Sequence, residues 1–328
     1  MSYSFEIKNL VKKYDKTVVL NGVSLHAEEG SVFGLLGPNG AGKTTIVKIL
    51  STILDFDSGS IKVNGIDVKT DPEKVRKSIG LGGQFSAVDE YLTGYENVFM
   101  IGRLYGLSRK VAKQRSEELL EGFKLTDAMH KQVKTYSGGM RRKLDLGASL
   151  IGRPKILFLD EPTTGLDINT RLDLWNIIKD LVKTGTSILL TTQYLEEADE
   201  LADKIAVVNK GKVIAEGTSQ QLKSSLGGDI VEFQLQKLAD KEKAFGAVGK
   251  FAKTKLDFDE QSLMLRVPVA TGSKGLMSIV QSLNDNKLVV NELSLHRPSL
   301  DDVFLSLTGA KAPEEKPVVK TGRRKLKT

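Results

Sequence analysis

A short apolar run, Ser31-Val32-Phe33-Gly34-Leu35-Leu36, breaks into Gly37-Pro38-Asn39-Gly40-Ala41-Gly42-Lys43-Thr44 and continues as the apolar-periodic stretch Thr45–Leu50. Strand, glycine-rich turn and helix in that order admit few folds. Glycines let the backbone turn tightly enough to aim several N–H groups at one anion, and the following helix adds its N-terminal dipole. The spacing G-x-x-x-x-G-K-[ST] places a mobile ammonium, Lys43, near the β and γ phosphates of a nucleotide. It also places a hydroxyl, Thr44, where it can occupy a position on Mg²⁺. An α/β fold is expected, with a nucleotide held along Gly37–Thr45.

Ile156-Leu157-Phe158-Leu159-Asp160-Glu161 reads as the other half of the site. A buried strand ending in Asp160 presents one carboxylate to Mg²⁺ through its water shell. Glu161, one residue on, can polarise an attacking water as general base. Acids at strand ends are commonplace, and this pair gains its meaning from the phosphate loop. Ser187–Thr191 is a further continuous apolar run suited to a strand buried on both faces. Leu172, Trp175, Ile178 and Leu181–Val182 have helix spacing, which makes Trp175 a core residue. Residues of about 85–150 read as a largely helical insert, with Ser108 as an N-cap and Leu119, Leu120 and Phe123 as an apolar stripe. Ile205–Val208 and Val213–Ala215 read as a closing hairpin through Asn209-Lys210-Gly211.

After Gly227-Gly228 the pattern changes. Alternating stretches at 231–235, near 251–258, 261–269 and 287–296 surround helical patterns at 238–249 and around Leu276–Leu283. The order is β-α-β-β-α-β, that of a ferredoxin-like α+β unit. Ser299–Leu305 reads as a short capped helix. The expected division is 1–226, 227–309 and a tail, 310–328. No internal repeat and no second phosphate loop occur.

The charge is local: seven basic residues against two acids after Ala310 carry +5 of the net +7. This proline-containing tail reads first as solvated and disordered, and more sharply as attracted to anionic lipid headgroups. The remainder is close to neutral, so no nucleic-acid partner is expected. The absence of cysteine removes disulfides and thiolate metal sites. No apolar run approaches the roughly 20 residues that cross a bilayer, and Met1–Glu6 lacks a signal-peptide pattern.

Tyr136-Ser137-Gly138-Gly139-Met140 before Asp160, and Thr164-Gly165-Leu166-Asp167 after it, complete a set that resembles the ATPase subunits of ABC transporters over about residues 4–225. The resemblance implies a P-loop ABC ATPase domain that binds ATP and Mg²⁺. It also implies two copies meeting head to tail, each phosphate loop facing the other copy's Ser137, Gly138 and Gly139. Position by position, Gln84 matches the family's Q-loop, implied to touch Mg²⁺ or water and to signal to a membrane partner. Tyr14 matches the aromatic that stacks on adenine, although a core or surface tyrosine is a serious rival. Asp167 matches the D-loop between the two sites. Two departures stand out. Met140 replaces the usual glutamine, a variation associated with ABC-2-type exporters. Gln193 replaces the usual switch histidine, so turnover is expected to be modest and to lean on Glu161.

A finer match, through Leu92–Asn97, Thr135–Arg142, Thr191–Leu195 and Leu300–Gly309, is similar to the daunorubicin/doxorubicin resistance ATP-binding proteins. It implies a peripheral subunit on the cytoplasmic face of the membrane, coupled to a separate ABC-2-type permease that exports hydrophobic drugs or lipids. A soluble ABC machine acting on nucleic acid or ribosomes is the alternative. Such proteins often carry two cassettes, long coiled coils or zinc modules, and this chain has none of these. Residues 227–309 would sense a regulator, brace the dimer or grip the permease, and the sequence leaves these three open.

Overall fold

The computed structural model describes residues 2–83, 88–226, 228–270 and 272–309, so Gln84 and the basic tail lie outside it. The chain divides into two compact units after Glu216. The first runs β1 (Tyr3–Tyr14), β2 (Thr17–Glu28), β3 (Val32–Leu36), α1 (Lys43–Leu50), β4 (Ser58–Val63), β5 (Ile66–Asp67), α2 (Pro72–Ser78) and β6 (Ile79–Gly82). It continues through α3 (Gly94–Leu104), α4 (Arg109–Gly122), α5 (Gly138–Ser149), β7 (Ile156–Asp160), α6 (Ile168–Lys183), β8 (Ser187–Thr192), α7 (Leu195–Leu201), β9 (Lys204–Asn209) and β10 (Lys212–Gly217).

The central sheet has the order β10-β9-β3-β8-β7-β6, and a second sheet has the order β2-β1-β4-β5. Strands β3, β7 and β8 are buried at every residue, which explains their unbroken apolar runs. Successive side chains serve different cores. Phe33, Leu35, Ile156, Phe158 and Leu189 pack with β1, β2 and α1. Val32, Leu157, Leu159, Ile188 and Leu190 pack with the helices on the other face. Each large side chain withdrawn from water in this way contributes about 1.5–3 kcal/mol. Parallel pairing sets Leu36 beside Thr192, Asp160 beside Thr191, and Gly82 beside Leu159. The carboxyl ends of four strands therefore share one edge, where open α/β sheets bind ligands. The expected hairpin is β9–β10, and Lys210 and Gly211, both at positive φ, turn it.

The insert is helical as expected. A Thr93–Glu96 capping box opens α3, and Ser108 caps α4. Trp175 is buried, whereas Leu172 faces outward, 46% exposed, because α6 turns only one face to the sheet.

The second unit contains α8 (Ser219–Ser224), β11 (Asp229–Leu235), α9 (Lys241–Val248), β12 (Asp257–Asp259), β13 (Met264–Val269), α10 (Gly272–Asp285), β14 (Val290–His296) and α11 (Leu300–Thr308). Its sheet order is β12-β13-β11-β14 with antiparallel pairing throughout, the ferredoxin-like arrangement. Only Asp257–Asp259 of the stretch expected near 251–258 pairs as a strand; Gly249–Phe251 forms a 3₁₀ turn instead. Residues 217–226 belong to this unit, ahead of the double glycine, because α8 packs against α11. Ser299 caps α11 through a capping box with Asp302.

Candidate functional site

The phosphate loop leaves β3 at the shared edge, with Gly37 N donating to Thr192 O at 3.3 Å. Gly42 is the N-cap of α1 at φ 108, a left-handed conformation that a side chain would strain, and a Cβ there would also meet Leu20 at 2.6 Å. Lys43 is only 4% exposed. Its Nζ donates to Gly37 O at 2.7 Å and Pro38 O at 3.2 Å, and lies 3.5 Å from Glu161 Oε1. Burial lowers the Lys43 pKa, while the neighbouring Glu161 and Asp160 carboxylates oppose that shift. A cleft of about 580 Å³ is lined by Asn39, Gly40, Ala41, Gly42, Lys43, Thr44 and Thr45 together with Val19, Glu161, Thr164 and Gln193. The loop, the acid after β7 and the glutamine after β8, far apart in sequence, therefore face one space.

Asp160 is buried at the end of β7 and accepts from Thr191 Oγ1 at 2.5 Å. Glu161 N donates to Thr191 O and Oγ1, each at 3.1 Å, and Thr164 Oγ1 donates to Glu161 Oε2 at 3.3 Å. Glu161 itself sits at φ 50, an uncommon conformation for a side chain of this size.

Ser137 caps α5, accepting from Met140 N at 3.2 Å. A Cβ on Gly138 would meet nothing within 4 Å, so the helix start is uncovered on that side. Gly138 lines a second cavity, of about 240 Å³, with Arg141, Arg142, Asp145, Glu161, Thr164, Gly165 and Leu166. Asp167 caps α6, accepting from Thr170 N and Oγ1. Tyr14 stands exposed at the end of β1, with Lys12 Nζ 5.2 Å from its ring centroid. Gln84 falls outside the described residues.

Three contributors escaped the sequence reading. Thr191 braces both acids. Arg142, on α5, donates from Nε to Pro162 O at 2.6 Å, and from Nη2 to Glu161 O at 2.8 Å and Asp160 O at 3.3 Å. Its Nη1 donates to Gly83 O. Glu197 of α7, fully buried, accepts from Thr163 Oγ1 at 2.8 Å and Trp175 Nε1 at 3.2 Å. No spacing rule marks a threonine inside a strand or a basic residue inside a polar helix.

A phosphate loop at the carboxyl edge of a parallel sheet, facing an aspartate–glutamate pair two strands away, defines a P-loop nucleotide-binding protein. The ABC transporter family model matches residues 20–164. The chain is 47% identical over 307 residues to the daunorubicin resistance ATP-binding protein DrrA2 of Streptomyces coeruleorubidus, covering 94% of this chain and 95% of that one. It is 45% identical over 311 residues to the daunorubicin/doxorubicin resistance ATP-binding protein DrrA of Streptomyces peucetius, covering 95% and 94%. A solved structure of an ATP-binding subunit of an ABC transporter superposes with a TM-score of 0.62 at 28% identity, covering 68% of this chain and 93% of that one. The chain belongs to the ABC transporter ATP-binding protein family and is an ATPase of that type.

Proposed function

We propose that the chain is the ATP-hydrolysing subunit of an exporter, working as a head-to-tail homodimer beneath a separate ABC-2-type permease that expels hydrophobic drugs or lipids. The observation that carries this reading is the division of the site. Lys43, Thr44 and Gln193 line one cleft and the Ser137-capped end of α5 borders another cavity, with Glu161 and Thr164 on the wall of both. A second copy turned head to tail supplies that end to the first copy's nucleotide. The subunit sits peripherally on the cytoplasmic face; among the described residues no helix is long and apolar enough to cross a membrane. The relatives' names, which pair ATP binding with drug resistance, support the cargo class.

The residues divide the work. Amides of Gly40–Thr45 and the α1 dipole hold the phosphates, and Lys43 transfers its hydrogen bonds from Gly37 O and Pro38 O to phosphate oxygens. Asp160 and the Thr44 hydroxyl, with Gln84, would hold Mg²⁺. This set fits that ion: hard oxygen donors, one of them a buried carboxylate beside Lys43, leave positions for phosphate and water. Bound there, Mg²⁺ neutralises phosphate charge. Glu161 accepts the proton of the attacking water, and Gln193 donates its amide N–H to a γ-phosphate oxygen. Tyr14 stacks on the adenine, and Ser137–Gly139 of the second copy close the site.

Glu161→Gln is expected to cut turnover to a slow but measurable residual rate and trap an ATP-bound dimer visible by size-exclusion chromatography. A variant that hydrolyses normally and stays monomeric removes Glu161 from this role. Co-purification from membranes tests the coupling: recovery of ribosomes or DNA and no membrane protein would overturn the transport reading.

A further inference from the structure

The left-handed backbone at Glu161 is a conformation that a non-glycine residue keeps only where its surroundings impose it. From the amide side, Thr191 imposes it through the two bonds to Glu161 N. From the carbonyl side the constraint is Arg142. One planar guanidinium clasps three consecutive carbonyls, those of Asp160, Glu161 and Pro162, and a fourth, Gly83, immediately before Gln84. Asp145 Oδ2, 3.8 Å from Nη1, lies one helical turn further along α5 and helps orient the fork. Lysine cannot reproduce this clasp, because its three donors radiate from a single atom.

Arg142 is anchored on α5, the helix that Ser137 caps. We infer that Arg142 is a positioning residue that sets the aim of the Glu161 carboxylate and makes that aim follow the placement of α5. The second half of this inference rests on the head-to-tail dimer proposed above. In that dimer, the helix that offers its N-terminus to the partner's nucleotide also holds its own subunit's Glu161. Nucleotide in one composite site is then felt at the acid of the other, through one side chain.

The test uses the full chain and its R142K and R142Q variants, alone and combined with Glu161→Gln. Melting temperatures check folding, a fluorescent ATP analogue measures affinity, and steady-state assays give kcat, KM and the Hill coefficient. Both single variants are expected to bind the analogue as the parent does, while kcat falls about 10- to 100-fold, less for R142K than for R142Q. The Hill coefficient for ATP is expected to fall to about one. In the Glu161→Gln background the Arg142 substitutions are expected to cause no further loss, since they act through a carboxylate already removed. Parental kcat in both single variants, or a full additional loss in the double variants, overturns the positioning role. If R142Q does not fold, R142K decides by the same readouts. A parent protein with a Hill coefficient of about one and no ATP-dependent dimer sinks the head-to-tail reading, while the kcat and double-variant results still judge the clasp within one subunit.

Discussion

Gln193 shares its cleft with Lys43, Thr44 and Glu161, and its chemistry limits what it can contribute there. A neutral amide donates a hydrogen bond but neither gains a charge nor relays a proton. In the mechanism proposed above, the proton from water is therefore left to Glu161. Gln193→Ala is expected to lower kcat about tenfold with little change in nucleotide affinity, since one transition-state donor is lost; an unaltered steady-state rate would remove Gln193 from the reaction. Gln193 and Glu161 were legible in the sequence because each follows a recognisable buried strand. Arg142 and Thr191 were not, because what matters is which carbonyls and carboxylates the fold brings to them.

At the scale of elements, Glu197 joins α7, the Trp175 face of α6 and the turn that follows Glu161. Burial raises its pKa above the ordinary glutamate value of 4.5, and hydrogen bonds from Thr192, Thr163 and Trp175 only partly offset that. The folded protein thus holds this proton more tightly than the unfolded chain does. Below 4.5 both states are protonated and the carboxyl carries no penalty. As pH rises from there, the unfolded state releases its proton first, and stability falls until the folded-state pKa is passed. Glu197→Gln keeps an oxygen for Thr163 and Trp175 and does not titrate. Its melting temperature is expected to gain on the parent's as pH rises above 4.5, as thermal unfolding would show. A difference that does not change with pH would mean the carboxyl does not titrate in this range. Glu197→Ala instead strands two buried donors and leaves a cavity, at a cost of about 2–4 kcal/mol. Periodicity revealed the long elements, such as α6 and β8, because each has a sustained buried face. It overextended the strand near 251–258, where a strand begins only at Asp257 and Ala252 makes an isolated bridge to Val269, and it could not show that Leu172 turns outward.

At the scale of the molecule, each compact unit closes its own core. That of the second unit gathers Val231, Phe233, Leu265, Val267, Ile279 and Leu283, between one face of its sheet and helices α9 and α10. Residues 217–309 expressed alone are expected to unfold in one cooperative thermal transition; a broad, featureless melt would show that the unit depends on the rest of the chain. The β-α-β-β-α-β order was legible from alternation, whereas the division after Glu216 was not, since it depends on α8 packing against α11.

The central sheet, with alternate side chains assigned to opposite cores, has a consequence for how such a chain can change over time. Losing or gaining one residue within β3, β7 or β8 would exchange the two sets of side chains and slide Gly37, Glu161 or Gln193 away from the common edge. Substitutions can accumulate in these strands one at a time, but their lengths are frozen, and variation in length is left to the connecting loops and the helical insert.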